Sequence, residues 1–96
     1  MSTLHTISKS PQSGLLSSCL SGFSQGDGLL FLEDGVYHCL DKDLLASLPK
    51  GNRFFVLKED LRARGLDNKL PASIDAVSTK KFIALCCSFD KVVNWF

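Results

Sequence analysis

Gly26-Asp27-Gly28-Leu29-Leu30-Phe31-Leu32-Glu33-Asp34-Gly35 says most about how this chain folds. Four large apolar residues in a row, Leu29 to Leu32, stand between two turns rich in glycine and acid. A strand with one wet face alternates apolar and polar residues. This run does not alternate, so it reads as a strand covered on both faces. Such strands belong to sheets built from βαβ units, in which crossover helices cover the faces.

The flanking sequence repeats that plan. Leu4 to Ile7 is a short first strand, and Ser8-Lys9-Ser10-Pro11 turns the chain. Leu15, Leu16, Cys19, Leu20 and Phe23 recur at helical spacing within a helix predicted from Gln12 to Gln25. Gly22 interrupts it at a cost of roughly 1 kcal/mol relative to alanine. Gly26 stands in the place of a C-terminal glycine. After the deciding strand, helical turns are predicted at Val36–Leu40 and Leu44–Leu48, and Pro49-Lys50-Gly51-Asn52 is a loop. Phe54 to Leu57 is the third strand. Glu59 to Arg64 is a short helix with acids first and arginines last, as the helix dipole favours. Asp60 and Arg64 are spaced for an i,i+4 pair, and Gly65 ends the helix. Ile74–Val77 is a fourth strand. Thr79–Ser88 is the last helix, with Phe82, Ile83, Cys86 and Phe89 as its buried face. Lys80 and Lys81 stand in its first turn, where the dipole disfavours cations. Val92–Phe96 is a final strand or a docked tail.

With 96 residues the chain suits one domain spanning residues 1–96. A composition 45% apolar and 22% charged excludes a disordered chain. Mean hydropathy is slightly positive at +0.11, high for so small a domain, and reads either as apolar surface buried against other chains or as a rich core with a few exposed leucines. The net charge is +1, with no basic run longer than Lys80-Lys81, so no direct contact with nucleic acid is expected. No apolar run approaches ~20 residues, so no membrane span is expected. The start of the chain lacks the pattern of a signal peptide, and a cytosolic protein is expected.

The inventory of chemistry is thin. No glycine-rich loop follows the first strand, which disfavours a nucleotide-binding enzyme. Glu33-Asp34 and Glu59-Asp60 are neighbours in sequence and do not converge on one atom. The cysteines (Cys19, Cys39, Cys86, Cys87) and the histidines (His5, His38) match no zinc spacing, so neither metal nor other cofactor is expected. His5 alternates with apolar residues and reads as a satisfied strand histidine. His38 lies in a loop-like stretch with no obvious acid partner. Thiol chemistry remains. A persulfide relay needs one accessible cysteine of lowered pKa, and Cys19 in the first crossover helix is the candidate. Cys19 also falls on the apolar stripe, where a cysteine serves as a small buried hydrophobe. Cys39 follows a turn and is expected to be partly exposed. Cys86 and Cys87 read as packing residues.

Four segments together resemble one family. Leu4-His5-Thr6-Ile7-Ser8-Lys9-Ser10-Pro11 is similar to the opening of TusB/DsrH proteins. Gly26 to Tyr37, Val56 to Leu66 and the closing Asp90 to Phe96 resemble three further segments of that family, in the same order. The resemblance implies a three-layer α/β/α fold with a mostly parallel five-stranded sheet, like DsrE, DsrF and DsrH. It implies a heterohexamer with TusC/DsrF-like and TusD/DsrE-like subunits that passes persulfide sulfur between carrier proteins, toward 2-thiolation of the tRNA wobble uridine or, in another branch, in sulfur oxidation. The principal persulfide cysteine would then lie on the TusD/DsrE-like subunit. Ser18-Cys19-Leu20 resembles the cysteine-bearing form of the family, which makes Cys19 a candidate auxiliary carrier.

Overall fold

The computed structural model describes residues 2–49 and 51–95. Lys50 of the expected loop and Phe96 of the expected tail lie outside them. The sheet has five strands: β1 (Thr3–Ile7), β2 (Gly28–Phe31), β3 (Arg53–Leu57), β4 (Asp75–Val77) and β5 (Lys91–Trp95). Their spatial order is β4-β3-β2-β1-β5, and every pairing is parallel. β2 is buried along its whole length, as its unbroken apolar run requires.

Helices α1 (Leu15–Ser21), α2 (Lys42–Ser47), α3 (Lys58–Ala63) and α4 (Thr79–Ser88) connect the strands, with a 3₁₀ segment over Glu33–Leu40. Two apolar clusters show the three layers. Ile7, Leu29, Phe31, Phe54 and Val56 face one way and meet Leu16 of α1 and Leu61 of α3. Leu4, Leu30 and Phe55 face the other way and meet Leu85 and Phe89, at and just after the end of α4. Strand side chains alternate between faces, so each strand supplies both cores. The architecture is the three-layer α/β/α sandwich.

Local details differ from the sequence expectations for identifiable reasons. The helix expected over Gln12–Gln25 is shorter. Gly14 takes a left-handed φ of +73°, which separates a 3₁₀ turn at Pro11–Ser13 from α1. The helix stops at Gly22, whose N–H bonds back to Cys19, so Gly26 lies in the turn before β2 rather than at the helix end. On α4 the buried residue is Leu85, while Ile83 is 60% exposed. Cys87 is also exposed rather than packed. The Arg64 guanidinium reaches Asp34 at 3.0 Å; toward Asp60 it meets only the backbone carbonyl. The final segment is a strand, because β1 offers it a free parallel edge.

Gly35 is placed where no side chain fits. A Cβ there would lie 2.1 Å from the carbonyl oxygen of Ile7. That oxygen already accepts the Leu32 N–H, so the backbone after β2 lies directly on the end of β1. Gly35→Ala is expected to destabilise by roughly 2 kcal/mol or more, because a backbone atom cannot step aside. Gly22→Ala, with only the Cys19 carbonyl at 3.8 Å, is expected to be near neutral. Denaturant midpoints of the two variants check the contrast.

Candidate functional site

Cys19 lies on the inner face of α1 and is fully buried. Burial, and secondarily the negative charge of Asp27, pushes its thiol up to about 12. Asp27 immediately precedes β2, so the thiol lies toward the amino ends of the strands. Parallel sheets carry their chemistry at the opposite edge. A persulfide carrier needs a thiolate that a partner can reach. In this conformation Cys19 offers neither. Cys39, expected to be partly exposed, is buried as well, and its thiol is pushed up to about 11 by that burial. Cys86 is half-buried; burial and then the neighbouring Cys87 raise its thiol. Among the described residues, no three of His, Cys, Asp and Glu gather as they would around a metal ion.

The most connected polar group is one the sequence reading passed over. Asp27 is 4% exposed and accepts hydrogen bonds from three directions. Its Oδ1 takes the Thr3 N–H at 3.0 Å. Its Oδ2 takes the Ser24 N–H at 3.0 Å and faces His5 Nε2 at 3.0 Å. Asn52 donates to the Asp27 backbone carbonyl at 2.9 Å. Burial alone would raise the carboxyl pKa. The bonds from Ser24, His5 and Thr3 outweigh it and hold the carboxyl below the usual range.

On the far side of the ring, His5 Nδ1 meets the Trp95 indole Nε1 at 3.1 Å. An indole nitrogen can only donate, so Nδ1 must carry its lone pair and Nε2 its proton. The neutral imidazole is thereby satisfied at both nitrogens. The order acid, histidine, third group imitates a catalytic triad. But the place of a nucleophile is taken by an indole whose N–H is far too weakly acidic to give its proton to an imidazole, so the arrangement does no acid–base work as it stands. His5 is a satisfied strand histidine. The other ring, His38, is 2% exposed rather than loop-like and stacks on Phe31 at 5.1 Å. Its Nε2 lies 3.3 Å from the Lys9 carbonyl, and burial lowers its pKa.

The carboxyl edge has its own logic. β3 exits into α3 on one face of the sheet, and β4 exits into α4 on the other. Between such exits an open α/β sheet has its crevice for ligands. At this edge Glu59, an exposed residue, ties α3 to the start of α4. Its carboxylate accepts the Thr79 N–H at 2.7 Å and the Thr79 hydroxyl, at the start of α4. Those two donors hold the carboxyl below its ordinary range. Asp60 likewise accepts the Glu33 N–H at 2.7 Å. The chain's own acids occupy the N–H groups that an anionic ligand would seek. Acids at the first turn of α3 are the signal for this in the sequence, though their target is not.

The all-parallel five-stranded sheet between helical layers is the architecture expected of a DsrE/F/H-like domain, and comparison with known proteins agrees. The model of the family described as "DsrH like protein" matches residues 9–92, and the chain belongs to that family. It is similar to Protein TusB of Erwinia tasmaniensis, at 37% identity over 94 residues, covering 96% of this chain and 99% of that one. Protein TusB of Enterobacter sp. (strain 638) is 31% identical over 96 residues, with the same coverage. Protein TusB of Escherichia coli O81 is 33% identical over 94 residues.

Two measurements follow from these environments. In the folded protein a thiol reagent is expected to modify Cys87 rapidly, while Cys19 and Cys39 react only on unfolding; mass mapping of the adducts checks this. Asp27→Ala, which strands three donors, is expected to cost about 3 kcal/mol or more. Because the folded carboxyl is depressed, its contribution is present at neutral pH and is lost as pH falls below about 4, the unfolded carboxylate range. Wild-type stability should therefore fall through that window more steeply than that of the variant, as read by denaturation at a series of pH values.

Proposed function

We propose that this chain is a subunit of a heteromeric sulfur-relay complex in the cytosol. It would assemble with TusC/DsrF-like and TusD/DsrE-like subunits in a heterohexamer. The complex would pass persulfide sulfur from a carrier protein toward 2-thiolation of the tRNA wobble uridine. The observation that carries this reading is membership of the DsrH family over residues 9–92, with full-length similarity to TusB proteins.

The role within the complex is mainly architectural. A buried Cys19 with its thiol raised to about 12 supports that assignment over the auxiliary carrier. It also weighs against the sulfur-oxidation branch, where Cys19 would exchange sulfur with a small protein. Exposed Tyr37, Leu40, Ile83 and Val92 supply apolar surface suited to sister subunits. A net charge of +1 supports contact with tRNA through other subunits. No helix among the described residues is long and apolar enough to cross a membrane.

Co-expression with the two related subunits is expected to yield one co-purifying complex, and a persistent lone monomer would contradict the proposal. In that complex Cys19→Ser is expected to leave the rate of sulfur transfer unchanged. Loss of transfer without loss of assembly would make Cys19 a carrier.

A further inference from the structure

Strand β5 is the least protected part of the sheet. It is an edge strand paired only with β1. Lys91, Val92 and Asn94 are exposed, and Val93 and Trp95 are half-buried. Its side-chain attachments to β1 are the Thr6–Asn94 hydrogen bond on one face and the Trp95–His5 bond on the other. Beside the latter lies a cleft of about 280 Å³ lined by Thr3, His5, Ser24, Asp27, Lys91 and Trp95.

We propose that the Trp95–His5–Asp27 chain is a proton-sensitive clasp on β5: a proton added at His5 Nδ1 releases the Trp95 indole while the imidazolium stays bound to Asp27. The indole nitrogen has a hydrogen and no lone pair in the ring plane. A second hydrogen on Nδ1 would face it head-on at 3.1 Å, and the two donors repel. Nothing comparable happens at the other nitrogen. Nε2 keeps its hydrogen, and its bond to Asp27 becomes charge-assisted and stronger. The clasp therefore opens at one end only.

The surrounding charges agree with this. Asp27, from the turn before β2, is held ionised by its backbone donors and steadies the imidazolium. Lys91, from β5, lines the same cleft and opposes it, but it does not touch the ring, whereas Asp27 does at 3.0 Å. Cys19, from α1, is a neutral thiol. Phe23 contributes only an aromatic ring, with its centroid 5.2 Å from that of His5. The cleft gives the freed indole N–H room to meet water, so it need not remain unpaired.

Trp95 is the only tryptophan, so its fluorescence reports the clasp directly. Lowering the pH from about 8 to about 5, the interval in which imidazoles change charge, is expected to red-shift the emission. Far-UV circular dichroism should stay constant. His5→Gln keeps an acceptor for the indole and a donor for Asp27 but cannot titrate, and its emission should stay flat. His38→Gln should respond as the wild type does. Should His5→Gln fail to fold, the indole N–H resonance of the wild-type protein decides: it should shift in step with the His5 ring signals. An emission or indole resonance that ignores pH in this interval, or a response that survives in His5→Gln, overturns the clasp.

Discussion

The sheet depends on one buried carboxylate. β1 and β2 run parallel, so their starts must be set side by side without a hairpin to join them. Asp27 does this from the last position before β2, by accepting the Thr3 N–H at the start of β1 and the His5 ring further along it. The same carboxylate takes the Ser24 N–H, which closes the turn out of α1. One side chain thereby fixes the register of the central pair, the exit of the first crossover and, through His5, the attachment of the last strand. A neutral or shorter residue would leave several buried donors without a partner.

Family membership carries the functional reading, and the polar groups have settled roles beside it. Glu59, Asp60 and Asp34 are each committed to a partner within the chain: the start of α4, the backbone of Glu33 and the Arg64 guanidinium. Cys19 and Cys39 are committed to the core. Tyr37, Leu40, Ile83 and Val92 stand apolar and exposed on the surface.

Most of the architecture was legible in the residues. The unbroken apolar run at Leu29–Leu32 announced a strand buried on both faces, and the strands and helices around it fell close to where periodicity put them. The misreadings were local. Ile83 satisfied the helical spacing of α4 but stands on its exposed side among the described residues. Periodicity gives a stripe, not the direction in which the helix is rolled against its sheet. Cys39 follows the Asp34-Gly35 turn and so reads as partly exposed, but the 3₁₀ segment over Glu33–Leu40 buries it.

The candidate site divides along the same line. The class of fold, the family resemblance and the choice of Cys19 as the thiol to test were already readable in the residues, because these rest on local patterns and on ordered segments. Only the tertiary structure decided that Cys19 faces inward, that Asp27 rather than any cysteine is the centre of the polar network, and that Trp95 comes to rest on His5, ninety positions away in sequence. The physical reason is that burial and hydrogen bonding are set by which surfaces meet. For a parallel sheet those meetings join residues far apart in the chain, where no pattern of neighbours records them.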